Sequence, residues 1–316
     1  MSDSPPPVTE LAGPLGPADA AAVRALASAA AERDGIEPLS EQSLLDLLTT
    51  GAEHWLVRTV PGSGDEPTGL GLAGYAQLGA ASDGTRSAEL VVAPQARRAG
   101  TGHRLLDAVA ARASSGGHRL HVWAHGDLPG AAELARSAGL EPVRDLWRMA
   151  RALGPGLDGP RVPGLRPFVV GADEESWVEL NRRAFAHHPE QGRLTVQDLR
   201  AREAEPWFDP GDLLILERDG RAVAYLWLKV EPPVGELYAL GVSPEAQGEG
   251  LGSLLTAHAV AHLAAHGLDR AVLYTDADNT AAVRAYTAAG FRRDRVDVQY
   301  GPRAPRSSPE DATMPS

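Results

Sequence analysis

The chain has 316 residues, a formal net charge of −12 at neutral pH and no cysteine. The length suits two domains of ordinary size. The missing cysteines exclude disulfides, zinc–thiolate sites and thiol nucleophiles, and the acidic balance argues against nonspecific binding to nucleic acid or to an anionic membrane surface. The sequence has no run of about eighteen apolar residues, and Met1 to Pro7 has neither the basic region nor the apolar core of a signal peptide. A soluble, cytoplasmic chain without a metal centre is expected.

In chain order, residues 1–7 are rich in proline and serine and read as mobile. Residues 18–31 read as a helix, 55–60 and 72–78 as strands, and 88–92 as a third strand. A helix over 102–113, a strand over 120–124, a helix over 131–138 and a strand over 147–150 follow. The stretch Leu153 to Pro163, with its alternating glycines and prolines, reads as a linker near mid-chain. Beyond it come a helix over 174–186, strands over 213–218 and 222–230 joined by Asp219-Gly220, and a strand over 236–242. Asp-Gly between two apolar runs is a strong hairpin signal, because both turn residues need positive φ. A helix over 250–266, a strand over 271–274, a helix over 280–288 and a strand over 295–300 complete the second half, and residues 303–316 read as a disordered tail.

One pattern occurs twice, 150 residues apart. Leu90-Val91-Val92-Ala93-Pro94 leads to Arg97-Arg98-Ala99-Gly100-Thr101-Gly102, and Leu240-Gly241-Val242-Ser243-Pro244 leads to Gln247-Gly248-Glu249-Gly250-Leu251-Gly252. Each copy is a strand, a proline-opened turn, a glycine-rich loop and a helix entered at its N-terminus. Such a helix start offers unpaired N–H groups and the positive end of the helix dipole, so the unit reads as an anion cradle. A P-loop is excluded, because His103 and Ser253 stand after the last glycines where Lys-Ser or Lys-Thr would be needed. Neither loop gives the dinucleotide spacing Gly-x-Gly-x-x-Gly.

A strand ending in Val-x-Pro, followed by Gln/Arg-x-x-Gly-x-Gly, resembles the acetyl-CoA signature of the GNAT N-acetyltransferases. Five further segments sharpen the resemblance: His188-Pro189-Glu190-Gln191-Gly192, Trp207-Phe208-Asp209-Pro210, Tyr225-Leu226-Trp227-Leu228-Lys229, Gly235-Glu236-Leu237-Tyr238 and Leu273-Tyr274-Thr275-Asp276-Ala277-Asp278-Asn279. Together they are similar to the mycothiol synthase family of tandem GNAT enzymes, which acetylate the cysteinyl amine of Cys-GlcN-Ins with acetyl-CoA. The likeness runs from about Thr9 to Tyr300 and is most specific in the second half.

The resemblance implies an α/β fold, a mixed sheet flanked by helices, in two tandem domains. These are an N-terminal one over 8–152, a linker over 153–163 and a C-terminal catalytic one over 164–302. It implies acetyl-CoA as co-substrate, a cysteinyl amino-sugar inositol as the other substrate, no metal, no nucleic acid or membrane partner, and a monomer. Glu236 is the implied general base and Tyr286 the implied acid for the CoA thiolate. The backbone N–H of Val242 is implied to polarise the thioester oxygen. Glu41, Glu190, Lys229, Glu236 and Tyr274 are implied substrate contacts; taken singly, each reads as a solvated surface group. The implied acetyl-CoA contacts are Leu240, Gly241, Val242, Gln247, Gly248, Glu249, Gly250, Leu251, Gly252 and Ser253, with Asn279, Thr280, Ala281, Ala282, Val283 and Arg284. In the first half they are Leu90, Val91, Val92, Arg98, Ala99, Gly100, Thr101, Gly102 and His103.

Aligning Leu90 with Leu240 puts Arg86 opposite Glu236, and aligning Gly139 with Gly290 puts Ala135 opposite Tyr286. The first half therefore lacks both proton-transfer groups and is expected to hold cofactor or structure without turnover. Trp207 and Phe208 read as core, with a pocket wall as the alternative. Two other readings stay open on sequence alone: a tandem GNAT enzyme acting on an aminoglycoside or a peptide N-terminus, and a non-catalytic acetyl-CoA sensor.

Overall fold

A computed structural model describes residues 7–59, 71–186 and 191–303. Two compact units emerge, one of Met1–Arg144 with Asp297–Ser316 and one of Asp145–Val296. The chain passes from the first to the second inside one long strand and returns inside another. The break does not fall in 153–163, nor do the last strands stay with the halves 8–152 and 164–302.

The first unit holds β1 (Val8–Ala12), α1 (Pro17–Asp34), α2 (Glu41–Asp46), β2 (Glu53–Arg58), β3 (Leu72–Ser82), β4 (Thr85–Val92), α3 (Thr101–Ser115), β5 (Arg119–Ala124) and α4 (Pro129–Ser137). The strands stand in the order β1-β2-β3-β4-β5. All pairs are antiparallel except β4 with β5, which are parallel. Val298–Tyr300, from the chain's last strand, run antiparallel to β5 as Val298↔Ala124 and Tyr300↔Val122. Leu26, Leu47, Leu56 and Tyr75 pack with α1 on one face, and Trp55, Leu78, Leu105 and Val109 pack with α3 on the other.

The second unit takes the end of β6 (Leu140–Ala152), then β7 (Leu165–Pro167), α5 (Glu174–Ala184), α6 (Val196–Glu203), β8 (Leu213–Arg218), β9 (Arg221–Glu231), β10 (Val234–Val242), α7 (Leu251–Ala265), β11 (Arg270–Asp276), α8 (Thr280–Ala288) and the start of β12 (Arg292–Pro302). Its strand order is β6-β11-β10-β9-β8-β7, again with one parallel pair, β10 with β11. The α7 side is aliphatic, with Leu226, Leu228, Leu237, Val260, Leu263 and Leu273. The α5 side is aromatic, with Trp177, Tyr225 and Trp227 fully buried. Leu153 and Leu157 pack on the aliphatic cluster and Val162 is 8% exposed in a neighbouring one. The glycine- and proline-rich stretch 153–163 is thus packed structure rather than a free tether, because its apolar residues find partners.

Two of the hairpin turns use Asp-Gly at positive φ: Asp219 at 50° with Gly220 at 74°, as expected from sequence, and Asp83 at 49° with Gly84 at 72°. Among the described residues no helix is long and apolar enough to cross a membrane. Residues 304–316 and 1–6 lie outside the described residues.

Candidate active site

The two glycine-rich loops share one backbone. In the second unit β10 ends at Val242, Ser243 N–H donates to Val223 O at 2.8 Å, and a single 3-10 turn over Pro244–Ala246 follows. Gly248 (φ 82°) and Gly250 (φ 79°) then turn the chain into α7. In the first unit Ala93 N–H donates to Ala73 O at 3.0 Å. The 3-10 turn is Pro94–Ala96, and the left-handed positions are Arg98 (φ 63°) and Gly100 (φ 80°). Gly250 and Gly100 are the N-caps, and neither helix carries a side-chain cap. The first N–H groups of each helix, at Leu251, Gly252 and Ser253 and at Thr101, Gly102 and His103, therefore have no intrahelical acceptor and stand at the positive end of the dipole. Glu249 could repel an anion here, but Arg218 pairs with it. In the first unit Arg97 and Arg98, opposite Gln247 and Gly248, bind Asp34 at 2.6 Å and Glu133 at 2.8 Å.

Above the loop the sheet opens. β10 pairs with β11 only over Val234–Leu237 against Arg270–Leu273, while its pairing with β9 continues to Val242. From Tyr238 onward one edge of β10, including Leu240, Gly241 and Val242, is left without that neighbour. The register with β9 shifts between Leu237 and Ala239, a bulge at Tyr238 that puts Tyr238 and Ala239 into the same aromatic cluster. Gly241 sits directly opposite Tyr225. A Cβ there would lie 2.3 Å from the Tyr225 ring, so glycine is what lets the aromatic pack. β4 parts from β5 in the same way after Ala88, leaving Leu90, Val91 and Val92 beyond the ladder.

Glu236 lies on β10 just before the bulge, opposite Lys229 on β9 and Val272 on β11. Paired residues share a sheet face, so Glu236 and Lys229 rise together on the α5 side. Lys229 Nζ stands 4.8 Å from the Trp207 ring and 3.1 Å from Glu231. Trp207 packs on Tyr238 at 5.1 Å and Trp227 at 5.9 Å between ring centres. Arg202 Nε donates to the Tyr238 hydroxyl at 2.8 Å. A carboxylate and an ammonium thus stand at the rim of an aromatic floor. Trp207 and Phe208 join that cluster as core residues, and Trp207 also carries the lysine.

Tyr286 is half-buried on α8, on the aliphatic cluster, with its ring 6.2 Å from Phe291. Burial pushes its hydroxyl up to about 12. It acts electrostatically on Tyr225, whose own hydroxyl donates to Asn181 at 2.7 Å and is held above its ordinary range by burial and by Tyr238 and Tyr286. Asn279 caps α8, accepting from Ala282 N–H at 3.2 Å. Thr280, Ala281 and Arg284 of the first turns are exposed, and Ala282 and Val283 are half-buried. Tyr274 is 37% exposed on β11 and accepts from Arg295 at 2.8 Å. Glu41 opens α2 of the first unit, next to the N-cap Ser40. Glu190, with His188 and Pro189, lies outside the described residues. Sequence reading missed Arg202 and Tyr238 as partners, since their bond joins α6 to a bulge that no local pattern announces.

Residues 175–291 match the model of the acetyltransferase (GNAT) family. A mycothiol acetyltransferase from Cellulomonas flavigena is 49% identical over 98% of this chain and 93% of its own length. The chain belongs to the mycothiol acetyltransferase family. Another member of that family, from Sanguibacter keddieii, is 48% identical over 95% of this chain and 96% of its own. A GCN5-related N-acetyltransferase from Sphaerobacter thermophilus superposes with a TM-score of 0.64 at 25% identity, covering 93% of this chain and 95% of that one. A tandem GNAT protein from the clavulanic acid pathway shares the fold, with a TM-score of 0.66 at 19% identity over 96% of this chain and all of that one. Like the family, this chain is an N-acetyltransferase, and acetyl-CoA is the co-substrate of such enzymes. Membership answers the sensor reading.

Proposed function

We propose that the second unit moves the acetyl group of acetyl-CoA to the cysteinyl amine of Cys-GlcN-Ins, giving mycothiol and CoA. The carrying observation is Glu236 beside Lys229, on the strand that loses its neighbour immediately afterwards and then runs into the Gly248/Gly250 cradle. An α-amino group has a pKa near 8, so at neutral pH most of it must give up a proton before it attacks. Glu236 takes that proton, directly or through water. The Val242 N–H polarises the thioester oxygen. The pyrophosphate of CoA rests on the first turn of α7, and Asn279 to Arg284 border the cofactor on the α8 side.

Tyr286 meets the sulfur as negative charge develops there. Its hydroxyl, pushed up to about 12, is a weaker acid than a thiol at roughly 8.5. It therefore helps by donating a hydrogen bond to the departing thiolate more than by surrendering its proton outright. Glu190, Lys229 and Tyr274 contact the cysteinyl sugar, whose mixed hydroxyls suit mixed donors and acceptors. The first unit keeps a cofactor-type loop without chemistry, and the protein works as a cytoplasmic monomer. Incubation with acetyl-CoA and Cys-GlcN-Ins, followed by mass detection of the N-acetylated product, tests the reading. Acetylation of an aminoglycoside or peptide amine in its place would overturn it.

A further inference from the structure

Three side chains outside the proposed active site converge at the far end of α7. Asp212, at the end of a 3-10 turn just before β8, is 5% exposed and sends Oδ1 to within 2.6 Å of His262 Nε2. His266 caps the helix at 4.7 Å from the His262 ring. One ligand atom from each of Asp212, His262 and His266 falls within 4.8 Å of the other two. The set was not legible from spacing: His262 and His266 are one turn apart, but the carboxylate is 50 residues upstream.

We propose that Asp212, His262 and His266 form a binding site for a divalent transition metal ion of the zinc and nickel class. The donor set is two imidazoles and one carboxylate, which suits borderline metals and not calcium or magnesium, whose sites are built from oxygen. His residues at i and i+4 project from one face of a helix. The ring orientation is prepared: His266 Nδ1 lies 2.9 Å from the carbonyl of His262. That bond makes Nδ1 the donor and leaves the Nε2 lone pair free, the arrangement that outer hydrogen bonds give metal-bound histidines. The C-terminal end of a helix also favours positive charge. Binding replaces the proton shared by His262 Nε2 and Asp212 Oδ1 with the metal, and His266, exposed, leaves a fourth position to water.

The consequence is a tie between the end of α7 and the start of β8. In the first unit the corresponding position on α3 is Arg112, whose Nε binds Glu53 of β2 at 2.5 Å. An ion pair there and a metal here would pin the two related helices by different chemistry. His258, one turn earlier, has Nδ1 at 3.3 Å from Pro160 O and stands outside the triad.

The test titrates chelator-stripped full-length protein with zinc by calorimetry, and with cobalt to read the visible bands of the bound ion. One equivalent is expected, with affinity falling at least tenfold in both His266→Gln and Asp212→Asn, and changing less than twofold in His258→Gln. His266 is exposed, so its variant keeps the fold. Zinc should also raise the melting temperature of the wild type and not of His266→Gln. No saturable binding, or binding that survives His266→Gln, overturns the site. Loss in His258→Gln with retention in His266→Gln would place the metal elsewhere and overturns it equally.

Discussion

The two units carry the same loop and helix and differ in the residues that face the chemistry. Where the second has Glu236, the first has Arg86, and that guanidinium is fully occupied. It binds Glu53 at 2.7 Å and donates to the carbonyls of Gly79 at 2.7 Å and Leu78 at 3.1 Å. Those carbonyls sit where β3 shifts register against β4 between Leu78 and Ala81. So the first unit places its bulge on β3 and clasps it with arginine, while the second places its bulge on β10 at Tyr238 with a carboxylate two residues before it. A duplicated frame keeps its backbone when the residues at its reactive positions turn into structural ties.

The sharpest way to break this comparison is to attack both cradles. Gly250→Val puts a β-branched side chain at φ 79°, in the residue that opens α7, and should lower turnover more than a hundredfold through loss of acetyl-CoA binding, read by calorimetry. Gly100→Val, at φ 80°, should cost less than tenfold. The reverse ranking would assign catalysis to the wrong unit. Glu236→Gln should keep cofactor affinity and lower kcat by about 10²–10⁴-fold, the usual scale of general-base help. A rate unchanged below substrate saturation removes Glu236 from the reaction.

The first unit should answer to a different group. His125 lies between Glu89, at 3.6 Å, and Asp297, at 3.3 Å. Burial disfavours its charge, but the two carboxylates outweigh that and hold it up to about 10. Since the folded value exceeds the unfolded one of roughly 6.5, this ion cluster contributes stability in full below about pH 6.5 and loses it as pH rises through about 10. Asp297 also accepts from Gly126 N–H at 2.7 Å and so grips the returning strand. His125→Gln should cost on the order of 3 kcal/mol in urea unfolding at pH 6, the scale of a broken buried pair, and less at pH 10. Equal losses at both pH values would mean the imidazole is neutral.

Much of this contrast was legible in the sequence. The repeat and the Asp219-Gly220 hairpin both rest on local chemistry, which one strand of text carries. What was hidden is non-local or weakly patterned. α6 buries only Leu199 and Arg202, so no apolar stripe marks it, although Thr195 and Asp198 form a capping box. β1 and β7 are 5 and 3 residues long, too short for alternation to show. The passage of β6 and β12 between units depends on which strand each end meets, as with Tyr274 opposite Arg148, and no local signal encodes that partner.

Tyr286→Phe sharpens the comparison with Ala135 in the first unit. Removing only the hydroxyl leaves the ring on Phe291, so stability should hold. Turnover should fall about 10- to 100-fold with both affinities kept, the pattern of an interaction made in the transition state. Full activity with an unchanged circular dichroism spectrum would make the residue packing alone.

The smallest effect concerns a left-handed backbone position that arginine fills in one loop and glycine in the other. Arg98 holds φ 63° where the second unit has Gly248 at 82°. A non-glycine side chain in the left-handed region costs about 1 kcal/mol or more. The ion pair with Glu133 offsets little, because Arg98 is 80% and Glu133 64% exposed at the side chain. Arg98→Gly relieves the strain but also frees the unfolded chain, which takes back roughly half of the gain. The first unit should therefore gain up to about 0.5 kcal/mol in urea unfolding, while Gly248→Ala should lose about 1 kcal/mol in the second. A loss beyond 1 kcal/mol in Arg98→Gly would show that the guanidinium, and not the turn, holds that loop in place.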